Sequence, residues 1–139
     1  RAIVSRATWP GAASPGLRNL VKSRYAGRVV PVNPKGGELL GLPVTATLGE
    51  VVPACDLAVI VVRPDAILDV VREAAASGHR NLLILPGGFA EGGAEGQARD
   101  RALRALAAAQ GLTIAVGSFA HMALLGVFLA LASALAERV

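Results

Sequence analysis

Before Glu38 the chain has no acidic residue, although Arg1, Arg6, Arg18, Lys22, Arg24, Arg28 and Lys35 all lie in that stretch. Seven cations without an anion in the first 37 residues create a local field for polyanions. The plainer reading of Arg18, Lys22 and Arg24 is a solvated basic face. Nucleic acid is not the expected polyanion, because there is no helix-turn-helix, zinc motif or aromatic-interleaved basic strand. Cysteine is nearly absent too. Cys55 has no partner for an internal disulfide, which fits a reducing cytoplasm. It lies beside Asp56 without an activating base, and reads as a small buried apolar residue rather than a nucleophile. Aromatics make up 4% of a chain that is 53% hydrophobic, so the core must come from Val, Leu, Ile and Ala. Also missing are a nucleophile-elbow Ser with His and Asp, a Cys/His metal cluster and a P-loop lysine. Neither catalysis nor a metal is expected within the chain. Its 139 residues are one domain's worth, 1–139, long enough for a real core. It starts at Arg1 and enters a strand at once, as expected of a piece of something longer.

Among the features present, Arg28-Val29-Val30-Pro31-Val32-Asn33-Pro34-Lys35-Gly36-Gly37 organises the rest. A β-branched run closed by Pro and Gly reads as a buried strand ending in a turn. Residues before proline favour extended geometry, which applies to Val30 and Asn33. In an open parallel sheet, ligands sit past the C-terminal strand ends. There this chain places Asn33, Pro34, Lys35 and the backbone N–H groups of two glycines. A strand that holds NAD ends in Asp or Glu for the ribose hydroxyls. No acid stands here, so the site is read as one for an anion.

The remaining runs alternate as an α/β chain does. Strands are predicted at residues 2–5, 42–47 (a short edge strand), 56–62, 82–85 and 112–116. A helix is predicted over residues 15–24, with Ser14 as cap, Pro15 at its first position, and Leu17, Leu20 and Val21 inward. Thr47 is read as the cap of a short turn through Val52. A second helix runs over 64–77, with Ile67, Leu68, Val70 and Val71 inward, Asp69, Arg72 and Glu73 outward, and Gly78 as its terminator. A third covers 93–110 and is closed by Gly111; Glu91 and Glu95 lie near its N-terminus and Arg99, Arg101 and Arg104 follow, as the helix dipole favours. His79 is read as a surface residue.

The segments RVVPVNPKGGELLG (28–41), DLAVIVV (56–62) and GGFAEGGAEG (87–96) resemble, in order and spacing, the CoA-binding domain of NDP-forming acyl-CoA synthetases. That domain is similar to the nucleotide-like domain of the succinyl-CoA synthetase alpha subunit. The resemblance covers roughly residues 2–112. It implies a Rossmann-like open parallel sheet flanked by helices, coenzyme A or acyl-CoA as ligand, and an ATP-grasp domain or subunit as partner. It also implies that the loops after 56–62 and 82–85 border the pantetheine, which makes Arg63, Pro64, Gly87, Gly88 and Phe89 candidate lining. For Gly87-Gly88 a plain strand-to-helix turn is an equal reading, and Phe89 reads better as core. The phosphate loop departs from the family. Where the family has a Gly-Ala-Ser turn, a Pro-Gly pair and a further Gly, this chain has Ser5-Arg6-Ala7 and keeps only Pro10-Gly11, in a loop one residue short. Arg6, Thr8 and Ser14 are the substitute donors.

Gly117-Ser118-Phe119-Ala120-His121-Met122 stands where the family continues with a Gly-Pro-Asn-Cys-type turn. Residues 111–136 carry no Asp, Glu, Lys or Arg over 26 positions, long enough to span a bilayer. Gly117-Ser118 and His121 interrupt them, so an apolar helix packed on the sheet or a second subunit is the simpler expectation. Homo-oligomerisation through that helix follows from it. His121 is expected to cap or pack, since the family's phosphohistidine belongs to its next domain. The chain therefore reads as a CoA-binding domain of, or partner to, an acyl-CoA ligase. Two alternatives stay open: an interaction domain of the same fold that has lost its ligand, and an NADP-using oxidoreductase domain whose 2′-phosphate meets Lys35.

Overall fold

The computed structural model describes residues 2–7, 15–85 and 92–117. In chain order its elements are β1 (Ala2–Ala7), α1 (Pro15–Lys22), β2 (Arg28–Val32), β3 (Glu38–Leu39), β4 (Leu42–Pro43), β5 (Leu57–Val61), α2 (Ile67–Ala76), β6 (Asn81–Ile84), α3 (Gly93–Gln110) and β7 (Thr113–Val116). Five strands form one parallel sheet in the order β2-β1-β5-β6-β7. The expected open parallel α/β sheet is thus the observed one. Thr45 adds a single parallel bridge at Val32, outside β2. Asn33 N–H donates to Thr45 O at 2.9 Å, and Thr45 N–H to Pro31 O at 3.0 Å. The chain steps outward from β1 to β2 to this stub, then returns to β5 on the other side of β1. That reversal puts the topological switch point between β1 and β5.

The predicted strand over 42–47 is replaced by a β3–β4 hairpin and the Thr45 bridge. Its turn, Leu40-Gly41, has both residues at positive φ, +53 and +77, the geometry of a two-residue hairpin loop. β1 runs two residues beyond the predicted 2–5, to Ala7, because Arg6 pairs with both Val32 and Ile60 and Ala7 with Val61.

Val32, Arg6, Ile60, Ile84 and Val116 form one register row across the whole sheet. Val32, Ile60 and Ile84 are buried there with Ile67, Val70, Val71 and Ala74 of α2 and Leu103 of α3. Each such large aliphatic contributes about 1.5–3 kcal/mol by leaving water. Leu17 and Leu20 of α1 are buried as expected, whereas Val21 is 39% exposed. Helix α1 has only eight residues, and Val21 lies about 100° around it from Leu20, at the margin of the contact stripe.

Helices α1, α2 and α3 end in the same hydrogen-bonded motif. After α2, His79 N–H donates to Ala74 O (2.9 Å) and Gly78 N–H to Ala75 O (3.2 Å), with Gly78 at φ +83. After α3, Leu112 and Gly111 repeat this on Ala107 O and Ala108 O (2.9 and 3.4 Å), with Gly111 at φ +63. After α1, Tyr25 and Arg24 do so on Leu20 O and Val21 O (both 3.3 Å), and here Arg24 occupies the left-handed position at φ +53. Helix α1 therefore stops at Lys22, short of the predicted 24.

The motif after α2 carries His79 inward, which corrects its expected surface position. His79 is 0% exposed. Its Nδ1 accepts the Cys55 N–H at 3.0 Å, and Nε2 lies 3.3 Å from Leu48 O. A backbone N–H can only donate, so Nδ1 holds the lone pair and the hydrogen on Nε2 donates to Leu48. Thr47, expected to cap the turn Leu48–Glu50, makes no side-chain cap bond. The Leu48 N–H goes instead to Glu73 Oε1 at 2.7 Å, so Glu73 is half-buried and turned toward that segment rather than outward. Glu73 and His79 together pin the connection before β5 onto α2.

Among the described residues no helix is long and apolar enough to cross a membrane. The spanning, packing and oligomer expectations for the apolar tail, and the role of His121, fall mainly on residues 118–139, outside the described ones.

Candidate anion-binding edge of the sheet

The C-terminal edge of the sheet is set by register. One step beyond the buried row, Asn33, Ala7, Val61, Leu85 and Gly117 lie abreast at the ends of β2, β1, β5, β6 and β7. Adjacent strands are about 4.8 Å apart, so the ends of β2 and β5 flank the switch point about 10 Å from each other.

On the β2 side the chain leaves the sheet through Asn33-Pro34-Lys35-Gly36. Gly36 N–H closes the turn onto Asn33 O at 2.9 Å, and Lys35 N–H donates to Asn33 Oδ1 at 2.9 Å. Asn33 is therefore the residue that builds the turn. Pro34 presets its first corner, and the positive φ of Gly36 (+60) and Gly37 (+92) turns the chain into the hairpin. This corrects part of the sequence expectation: the Lys35 and Gly36 N–H groups are spent inside the turn. What the turn offers outward is the Lys35 side chain, exposed and without a carboxylate partner among the described residues.

On the β5 side, Arg63 precedes a turn over Pro64–Ala66 that opens α2, closed by Ala66 N–H to Arg63 O at 3.0 Å. The Arg63 guanidinium lies 3.3 Å from Asp65, with both side chains about two-thirds exposed at 68% and 66%. Asp65, which sequence reasoning passed over, is thereby brought to the same edge as the candidate Arg63. The signal was present in Arg63-Pro64-Asp65, where a proline-started turn brings residues two apart together.

Arg6 lies in β1, one residue before the edge row at Ala7. Ser5-Arg6-Ala7, expected in a phosphate turn, are strand residues paired on both sides, so any loop begins no earlier than residue 8. Thr8, Pro10, Gly11, Gly87, Gly88 and Phe89 lie outside the described residues. The structure thus brings Asn33, Pro34, Lys35, Arg63 and Pro64 to one edge, beside the end of β1 that carries Arg6. Cys55 lies at the opposite edge, buried, its thiol pushed up by burial against a weaker opposing pull from Arg28. That suits its apolar reading. No group of three metal-ligating side chains gathers among the described residues.

Residues 9–120 match the model of a family described as the CoA binding domain. A trans-feruloyl-CoA synthase from an unknown prokaryotic organism is 39% identical over 98 residues, 70% of this chain and 14% of that protein. The alpha subunit of an ADP-forming acetate–CoA ligase I from Pyrococcus furiosus is 32% identical over 102 residues, 70% of this chain and 22% of that one. Among solved structures, a dinucleotide-forming acetyl-coenzyme A synthetase 1 of Ca. Korarchaeum cryptofilum superposes with a TM-score of 0.75 at 28% identity, over 81% of this chain and 25% of that one. The chain therefore spans between about a seventh and a quarter of these relatives' lengths.

Proposed function

This chain belongs to the CoA binding domain family, and on that premise we propose that it is the CoA-binding module of an NDP-forming acyl-CoA ligase. The observation that carries this reading is the Asn33–Gly36 turn, which holds an exposed Lys35, without a carboxylate partner among the described residues, beside the switch point where an NAD site would carry an acid. Lys35 takes a phosphate of the nucleotide. Arg6, Thr8, Pro10 and Gly11 serve the pyrophosphate, with Asn33 and Pro34 shaping the floor. Arg63, Pro64, Gly87, Gly88 and Phe89 line the path of the pantetheine. Acyl-CoA formation itself requires nucleotide chemistry from an ATP-grasp domain or subunit, so the chain alone turns over neither ATP nor GTP. A cytoplasmic setting and self-association through the apolar tail belong to the same proposal.

With β1 continuing through Ala7, fewer backbone amides are left for the pyrophosphate than a glycine-rich turn supplies. CoA is accordingly expected to bind in the micromolar range or weaker. Calorimetric titration with CoA, dephospho-CoA, NADPH and ADP tests the reading, and CoA is expected to bind tightest. Stronger binding of NADPH would move the chain to the oxidoreductase alternative. The absence of heat with all four would leave an interaction domain of this fold.

A further inference from the structure

The two flanks of the switch point differ in charge. Lys35 on the β2 side has no carboxylate partner among the described residues, whereas Arg63 on the β5 side is paired with Asp65 at 3.3 Å. The next carboxylate along α2, Asp69, is occupied by Arg72 at 2.8 Å and adds no free charge. Taking the CoA reading above as its base, we infer that Asp65 is a specificity-determining residue that keeps the β5 flank neutral and so selects ligands with an uncharged arm there. The chemistry of CoA fits such a polarised crevice. Its charge is concentrated in the nucleotide phosphates, which go to Lys35, and the pantetheine that follows bears only amides, a hydroxyl and a thiol. The same nucleotide without its arm ends in a phosphate carrying extra negative charge where the arm would begin. Asp65 opposes that group twice, by direct repulsion and by occupying the guanidinium that would otherwise receive it.

The test compares two ligands, CoA and adenosine 3′-phosphate 5′-diphosphate, titrated calorimetrically into the unmodified chain and into Asp65→Asn and Asp65→Glu. Asp65→Asn should strengthen the armless nucleotide about threefold relative to CoA, the scale of an exposed ion pair. Asp65→Glu should restore the original ratio. Because the effect is electrostatic, the preference of the unmodified chain should shrink between about 20 and 500 mM salt, while that of Asp65→Asn changes less. A ratio unmoved by Asp65→Asn, or an equal gain for CoA, would remove Asp65 from this role and leave the CoA reading standing. If CoA gives no heat with the unmodified chain, the CoA reading falls and the role of Asp65 falls with it.

Discussion

The two ends of the parallel sheet are made of opposite materials. At the N-terminal edge, before β5 and β6, polar side chains are tied to backbone groups, and one of them, His79, is fully buried. His79 bridges Cys55 and Leu48, Glu73 holds the Leu48 N–H, and the Asn81 side chain donates to Asp56 O at 2.9 Å. At the C-terminal edge, the charged groups after β2 and β5 are exposed, and Lys35 has no internal partner among the described residues. Buried polar groups hold a fold together only if every bond is made, which commits them to structure. An exposed cation contributes almost nothing to stability and is available for a ligand. The fold thus keeps its polar staples at one edge and its exposed cations, with the proposed ligand site, at the other.

The largest expected effect falls on the stapled edge. His79→Ala leaves the Cys55 N–H without its partner in a buried place, takes one of two donors from the Leu48 carbonyl, which keeps the Val51 N–H, and opens a cavity. A cost of about 2–4 kcal/mol is expected in urea unfolding at neutral pH. CoA affinity of the folded protein should stay within about twofold, because the ligand edge is a strand length away. A stability loss under about 1 kcal/mol would mean the two bonds count for little. A large loss of affinity in folded protein would break the division between the edges.

Lys35→Ala is the mirror experiment. CoA binding should weaken by about 1–2 kcal/mol, as for a charge-assisted contact, with the unfolding midpoint unchanged. Dephospho-CoA should bind mutant and parent alike if Lys35 meets the 3′-phosphate. Unchanged CoA affinity would take Lys35 out of the site.

The same division governs what could be read from the sequence. The strand row through Val32 and Ile60 was legible because β-branched runs closed by Pro and Gly have few other outcomes. Asn33, Pro34 and Lys35 were legible as a turn from their residue types alone. His79 was not. A histidine after a C-terminal glycine resembles any surface residue until the helix-end motif is seen to swing it under the sheet. Glu73 failed for a related reason. Its helical position is peripheral, and its partner, the Leu48 N–H, is 25 residues away in sequence. Asp65 was hidden by its own proximity to Arg63, since such pairs are usually mere surface decoration.

A smaller effect tests whether stability is also left unoptimised away from the ligand edge. Arg24 takes a left-handed position that glycine fills after α2 and α3. Arg24→Gly should relieve the β-carbon penalty and lose part of the gain to unfolded-chain entropy, for a net stabilisation of about 0.5–1 kcal/mol. Destabilisation would show that the Arg24 side chain makes up for its backbone.

The smallest effect concerns the hairpin that follows the Lys35 turn. Leu40 holds φ +53 and is 40% exposed, so it combines an unfavourable backbone with an unburied apolar side chain. The next residue, Gly41 at φ +77, completes a loop whose preferred sequence is Asn-Gly. Asparagine tolerates the left-handed region far better than leucine. Against this, Leu40→Asn gives up partial burial of the leucine, worth a fraction of the roughly 2 kcal/mol of a fully buried one. The two terms leave a net stabilisation of about 0.5 kcal/mol, measurable as a small rise in the urea midpoint. Since the hairpin begins only after the turn is closed by Gly36, CoA affinity should not move. If instead Leu40→Asn stabilises the fold but weakens CoA, Leu40 is a ligand contact held in strain, and the ligand edge extends past Lys35 to the hairpin tip.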